Sequence, residues 1–278
     1  MSNDRILGLI AGNGRLPFIV ADGARKAGVK VVCVGLDGSV DPALSGMVDV
    51  FFTGAVARPG GWMRKLRKYR VKETIMVGAV SKTRLFDPWK IIKNLPDWRA
   101  LRIWYWRLRK SDKRNDSVLN AIAEELATGE IILEDSTMYC KEHLASEGVM
   151  TKCQPPATVA EDIEFGWEIV KKIGELDIGQ AIVVKEKEVI AVEAIEGTAR
   201  MLERAADLCK KGGWTLIKTA KPEQDMRFDV PCIGTETVES IAKSGGKCIV
   251  VEKGKTIIID KPETLALADS LSIPIVGH

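Results

Sequence analysis

Two short apolar runs, with one helix-length segment between them, restrict this chain more than any other feature. RILGLIA (5–11) and VKVVCVGL (29–36) are short, apolar and rich in branched residues, which suits strands buried on both faces. Between them, GNGRLP makes a tight turn and LPFIVADGARKA (16–27) repeats its apolar residues at helical spacing. Strand, helix, strand is a βαβ unit, which winds right-handed and obliges its two strands to run parallel. VDVFFTG (48–54) and ETIMVGAV (73–80) extend the same sheet. The helix NDSVLNAIAEELAT (115–128), with Asn115 or Asp116 as its N-cap, precedes a further strand, EIILEDS (130–136).

The second half repeats the α/β theme with different spacing. The polar stretch MTKCQPPATVAED (150–162) connects to a helix at 159–174. QAIVVKEKEVIAVEA (180–194) predicts a hairpin, GTARMLERAADLCKKGG (197–213) a helix and WTLIKTA (214–220) a strand. TETVESIAKSGG (235–246) predicts a helix, KCIVVEKGKTIIID (247–260) a second hairpin and PETLALADSL (262–271) a last helix. The expected class is α/β with two α/β domains: an N-terminal Rossmann-like parallel sheet (1–136) and a C-terminal domain with a mixed sheet (137–278).

Composition narrows the chemistry. His143 and His278 are the two histidines of the 278 residues, so histidine-built metal centres are excluded and catalysis must rest on carboxylates, Lys and Arg, hydroxyls and backbone amides. Six cysteines without any C-x-x-C pair argue for a reducing cytoplasm. No apolar run reaches the roughly 18 residues of a membrane span, and the N-terminus enters a fold-like pattern directly, without a signal segment. Residues 58–114 hold 18 Lys and Arg against 4 Asp and Glu, leaving 23 against 34 for the rest, so the basic block expects an anionic partner. Within it, PDWRALRIWYWRLRKSDKR (96–114) interleaves Trp98, Trp104, Tyr105 and Trp106 with cations. A membrane surface or lipid substrate suits this segment best, a protein interface next and nucleic acid least.

Four places carry chemistry. AGNGRLP (11–17) sits at a strand-to-helix turn where Gly12, Asn13 and Gly14 bring backbone close to an anion. A dinucleotide site, with Asp37 on the ribose, is one reading; Pro17 in place of a third glycine favours a phosphate or sugar site, and a purely structural turn is the third. VGAVSKTR (77–84) ends a strand at Gly78 and places Lys82 at the same sheet edge. EAIEGTAR (193–200) opens a helix at Gly197 and Thr198, either as a phosphate site or as an ordinary threonine cap. Finally, KPEQDMRFDVP (221–231), read as a strand, lines Asp225, Arg227 and Asp229 along one face and Met226, Phe228 and Val230 along the other. An internal ion-pair ladder is the bland reading. With Lys218 and Lys221 nearby, the sharper one is a Mg²⁺–phosphate site, carboxylates on the metal and cations on the phosphate.

Taken together, AGNGRLP, RNDSVL, the EGT turn and the run K-x-x-KPEQDMRFDVPCIG followed by TVE resemble the LpxI-type UDP-2,3-diacylglucosamine pyrophosphatases over essentially the whole chain. The resemblance implies Mg²⁺-dependent hydrolysis of a UDP-linked diacyl sugar to UMP and the acylated sugar 1-phosphate, a step of lipid A synthesis. It implies a substrate held in a cleft between two α/β domains, and a cytoplasmic homodimer working at the surface of the inner membrane, with no nucleic acid partner. By the same resemblance Asp225 is the essential aspartate, and Asp225 and Asp229 hold Mg²⁺ or orient the water. Arg227 and Lys221 bind phosphate oxygens, and Gly12, Gly14, Gly197 and Thr198 supply amides. Asn13, Gly78, Lys82, Asp116 and Gln224 complete the substrate set. Where the family tends to carry an acidic G-D-D run, this chain has Arg114-Asn115-Asp116. Two readings of another class are a nucleotide-sugar-binding protein and an NAD(P)-binding protein, each without this hydrolysis.

Overall fold

The computed structural model describes residues 5–80, 96–103, 115–222 and 224–278. The chain divides into two compact units, Met1–Lys141 with Asp225–Asp229, and Glu142–Gln224 with Val230–His278. The first five-residue return, Asp225–Asp229, therefore counts with the N-terminal unit although its flanks on both sides count with the other.

In the first unit the strands β1 (Ile6–Ala11), β2 (Lys30–Leu36), β3 (Val50–Gly54), β4 (Glu73–Val77) and β5 (Ile132–Leu133) form a sheet of order β3-β2-β1-β4-β5. Every pairing in it is parallel, as the βαβ pattern requires. Its helices are α1 (Leu16–Lys26), α2 (Pro59–Lys68), α3 (Trp98–Arg102) and α4 (Asn115–Ala127). The chain leaves β1 toward β2 and crosses back to add β4 on the other side, so the strand order reverses at β1 and β4. In open α/β sheets such a switch point leaves a crevice beyond the strands' carboxyl ends.

Helix α2 was not legible beforehand, because Arg64, Lys65, Arg67 and Lys68 dominate its sequence. Its buried residues, Trp62, Met63 and Leu66, recur one turn apart and join a core with Ile10, Val34, Leu126 and Ile131. Part of the basic block is therefore the outer face of this helix. Phe228 packs against the same core.

The second unit contains β6 (Gly148–Val149), α5 (Thr158–Glu175), β7 (Ala181–Lys185), β8 (Glu188–Val192), α6 (Thr198–Leu208) and β9 (Trp214–Lys218). It continues through β10 (Cys232–Ile233), α7 (Thr235–Lys243), β11 (Gly246–Val251), β12 (Ile257–Ile258), α8 (Lys261–Ser270) and β13 (Ile275–Gly277). Six strands form a sheet of order β6-β13-β11-β9-β7-β8. β9, β11 and β13 run parallel, and β6, β7 and β8 are antiparallel to their neighbours, so the sheet is mixed as expected. Helix α5 covers one face through Ile163 and Val170 against Ile182, Ile217 and Val250. The opposite face packs Trp214, Leu216 and Ile249 against Met201 and Leu202 of α6, Val238 of α7 and Ala268 of α8.

Trp214 is fully buried at the centre of that layer. Trp214→Ala is expected to cost about 3–5 kcal/mol, read as a lowered midpoint in urea unfolding; a loss under about 1 kcal/mol would contradict the packing described.

Two expectations fail here. KCIVVEKGKTIIID is not a hairpin: β11 pairs with β9 and β13, while β12 pairs parallel with β10 in a separate two-stranded sheet. Both edges of β11 are already taken by strands contributed from elsewhere, so the local return has nothing to pair with. KPEQDMRFDVP is not a strand either; residues 226–228 form a turn.

Candidate functional site

The turn at Asp225 arises from a local competition. A short carboxylate can accept the N–H two residues on, offering the backbone an alternative to an extended ladder. Asp225 Oδ1 accepts from the Arg227 backbone N at 3.0 Å, and the carbonyl of Asp225 accepts from Phe228 N at 3.3 Å and Asp229 N at 3.2 Å. The side chain of Arg227 then folds back on the same carboxylate, with Nε 2.9 Å from Oδ1 and Nη2 2.5 Å from Oδ2. Nη2 also donates to Asn120 Oδ1 on α4 at 2.8 Å. Met226 O accepts from both the N and the Oγ of Ser136, at 3.0 and 2.7 Å, which pins the turn to the end of the first unit's fifth strand segment.

Asp225 and Arg227 are thus neighbours by a fold-back rather than by sharing a strand face, which corrects the D-x-R-x-D reading. The Arg227 guanidinium holds the Asp225 carboxyl below the usual carboxylate range, and Asp225 in turn raises Arg227. Both charges persist at neutral pH, and the two side chains are 25% and 38% exposed, so the pair remains reachable. Asp229 stands in the same turn, at its far end.

The glycine turns of this unit meet at the switch point. Gly12 N donates to Val77 O at 2.9 Å, and Asn13 and Ala79 exchange backbone bonds at 2.8 and 2.9 Å. Gly78 has φ +93°, and a Cβ on Gly12 would lie 2.6 Å from Ala79 O. Only glycines let the two loops approach this closely. Gly14, with φ +105°, faces open space at the start of α1. Gly12, Asn13, Gly14 and Gly78 are therefore brought together. Lys82, Trp104, Tyr105 and Trp106 lie outside the described residues, and Asp116 belongs to the opening of α4. Elsewhere in this unit, Gly60, Met63, Arg64, Arg67, Asp97, Trp98 and Arg99 line a cavity of about 470 Å³, beside which Trp98 is 77% exposed.

In the second unit Lys221 pairs with Asp177 at 2.5 Å, and its backbone N donates to Gln224 Oε1 at 2.9 Å. Gly197, with φ +81°, caps α6 without a side-chain bond, so Thr198 is the first helical residue and not the cap. The Thr198 hydroxyl instead donates to Glu193 Oε1 at 2.6 Å and accepts from Lys218 Nζ at 3.2 Å. Sequence reasoning missed Asn120 and Glu193. An asparagine one turn into a helix carries no signal by itself, and Glu193 reads as the polar end of a hairpin strand.

Among the described residues no group of three or more His, Cys, Asp and Glu could hold a metal ion. Asp225 spends acceptor positions of both oxygens on Arg227. This donor set does not make a closed protein cage. A hard ion that keeps most of its waters would ask the protein for no more than one or two carboxylate oxygens.

Comparison with known proteins supplies the context. A family model described as the LpxI N-terminal domain matches residues 6–143, and one described as the LpxI C-terminal domain matches 146–276. A curated protein of Caulobacter vibrioides, named UDP-2,3-diacylglucosamine pyrophosphatase LpxI, is 31% identical over 283 residues, spanning 98% of this chain and 97% of its own. Among solved structures, a phosphoribosylglycinamide synthetase from Anaerococcus prevotii is 10% identical over 72% of this chain and 34% of its own, with a TM-score of 0.26. A biotin carboxylase domain from Hydrogenobacter thermophilus is 12% identical over 74% of this chain and 41% of its own, with a TM-score of 0.24. Likenesses so low decide nothing.

Proposed function

Because this chain belongs to the LpxI family, we propose that it hydrolyses the pyrophosphate of UDP-2,3-diacylglucosamine, with Mg²⁺, to UMP and 2,3-diacylglucosamine 1-phosphate. The observation that carries the chemistry is the Asp225–Arg227–Asn120 constellation: an ionised carboxylate and an oriented guanidinium, both partly exposed, in the unit that also holds the glycine turns.

In this reading Gly14, at the start of α1 where an added Cβ would meet nothing, brings backbone to the diphosphate oxygens, while Gly12 and Asn13, their N–H groups spent on Val77 O and Ala79 O, hold the turn against Gly78. Arg227 stabilises charge on the phosphoryl oxygens, and Asn120 fixes the plane in which it does so. Asp225, with Asp229 in the same turn, supplies carboxylate oxygens for the ion and for orienting the attacking water. Mg²⁺, when bound, neutralises the diphosphate and the developing charge on the leaving oxygen. The water oxygen bonds to one phosphorus as the bridging P–O bond breaks, and the water's proton is released. Incubating the purified protein with UDP-2,3-diacylglucosamine, with Mg²⁺ and with EDTA, tests this. UMP should form in the first case and not in the second; no UMP in either would sink the hydrolase reading, and equal UMP in both would sink the metal.

The same reading makes the protein a cytoplasmic homodimer peripheral to the membrane. Among the described residues no helix is long and apolar enough to cross one. What supports a surface role is the exposed Trp98 beside the cations Arg64, Arg67 and Arg99. Trp98→Ala is expected to reduce co-pelleting with vesicles containing phosphatidylglycerol severalfold. Unchanged pelleting, or a shift to monomer in sedimentation instead, would place Trp98 away from lipid.

A further inference from the structure

We propose that Ser136 is a positioning residue: it fixes the peptide plane from which the Arg227 amide holds the Asp225 carboxylate. The reaction it serves rests on the hydrolase reading above, while the geometry stands without it.

The turn by itself leaves one peptide undecided. Asp225, Met226, Arg227 and Phe228 are closed into a four-residue turn by Phe228 N on Asp225 O at 3.3 Å. The central peptide of that turn joins Met226 to Arg227. It can face either of two ways, type I or type II, with the closing bond intact in both. Only one of them sends the Arg227 N–H toward a carboxylate at the turn's first position. Here it does so, 3.0 Å from Asp225 Oδ1, and Arg227 keeps a negative φ.

Ser136 grips the other end of the same peptide. The Met226 carbonyl and the Arg227 N–H lie in one rigid plane, so holding the first aims the second. Two donors converge on Met226 O: Ser136 Oγ at 2.7 Å and Ser136 N at 3.0 Å. Reversing the plane forfeits both, together with the Arg227 bond to Asp225. Ser136 is only 1% exposed, so water is a poor substitute for the lost acceptor. The serine is itself held. Glu134 N donates to Thr74 O at 2.8 Å, carrying the β4–β5 ladder almost to it. Asp135 Oδ1 accepts from both Thr137 N and Thr137 Oγ1 at 2.7 Å, and Cys140 Sγ closes on Ser136 O at 3.7 Å.

The effect reaches both charged groups. With its amide turned away, Arg227 would hold Asp225 through the side chain alone, a long arm with several rotatable bonds. Carboxylate and guanidinium are then free to swing as a pair, and Nη2 leaves Asn120 Oδ1. Ser136, too buried to meet substrate, thus acts on the site through backbone.

The test is amide hydrogen exchange by NMR on the full chain, with UMP release from UDP-2,3-diacylglucosamine measured beside it. In Ser136→Ala, which removes one of the two donors, the Arg227 amide should exchange at least about fivefold faster than in wild type. Asn13 and Ala79, exposed residues whose amides are bonded to each other's carbonyls in the neighbouring turns, should keep their rates. Turnover should fall about tenfold in kcat with KM within about twofold, since the loss is one of alignment. Ser136→Thr keeps the hydroxyl and should recover both; if its extra methyl costs the fold, Ser136→Ala alone decides. An unchanged Arg227 rate overturns the clamp, as does a rise shared by Asn13 and Ala79, which marks a general loosening. Faster exchange at Arg227 with undiminished kcat overturns the positioning role. No UMP from wild type, with the exchange difference present, would sink the hydrolase reading and leave the clamp in place.

Discussion

Asp225→Ala is expected to lower turnover at least 100-fold while the protein still unfolds cooperatively. The side chain is partly exposed and bonded chiefly within its own turn, so its removal leaves the apolar core of the first unit untouched. Its loss deprives the site of one carboxylate and frees Arg227 from the hold that orients it. A ligand or base in this role is worth at least about 10² in rate, so retention of more than about a tenth of wild-type turnover removes Asp225 from catalysis. Asp225→Asn should fail nearly as badly, because an amide has only one oxygen to offer the guanidinium and no charge. The pH dependence follows from the same pair. Asp225 is ionised at lower pH in the folded protein than when unfolded, so its stabilising contribution is fully present above the ordinary carboxylate range. It is lost as pH falls through the lowered folded value. Acid unfolding of Asp225→Ala should therefore begin from a lower plateau and show a shallower decline over that window than wild type; superimposable curves would show that the pair contributes nothing.

Gly78→Ala is the second change with a large expected effect. Its φ of +93° is one that L side chains adopt only at a cost of about 1–2 kcal/mol. The added methyl would lie 2.8 Å from Asn13 O, a backbone atom that cannot step aside without moving the Gly12–Gly14 turn. Overpacking of that kind adds about 1–3 kcal/mol. The expected result is a clear drop in unfolding midpoint together with at least a tenfold loss of kcat/KM, since displacing a phosphate-binding loop by an ångström is enough to misalign the diphosphate. Gly14→Ala separates the two causes: a Cβ there meets nothing, so only the φ strain remains. Normal activity and stability in Gly78→Ala would dissolve the close apposition of the two turns.

How much of this could be read beforehand follows the range of the interactions. The βαβ opening was legible because its periodicities are strong and its connection has one favoured hand. So was the α5–β7–β8–α6–β9 succession, where each element carries its own pattern and turn. Failures came where a distant partner or a single side chain decided the outcome. The alternation of Asp225-Met226-Arg227-Phe228-Asp229 looks like a strand, yet Asp225 captures Arg227 N, and Phe228 goes to a core some hundred residues upstream in sequence. β12 could not join β11 because β13, last in the chain, occupies that edge. Asp225 and Arg227 do stand side by side as the sequence suggests, but on a turn and not along a strand face. Lys221, expected on phosphate, stands paired with Asp177, forty-four residues earlier, a partner that no local pattern announces.

The membership of Asp225–Asp229 in the first unit also governs how the protein is made. Translation delivers residues 1–141 well before residue 229 leaves the ribosome, a lag of roughly 4–18 s at typical elongation rates. During that interval the nascent N-terminal sheet lacks Phe228 over its core, and Ser136 lacks the carbonyl it will hold. The core that Phe228 joins is built from residues 10 to 133, so what the late return adds is chemistry: a nascent chain stalled short of residue 225 carries neither member of the Asp–Arg pair.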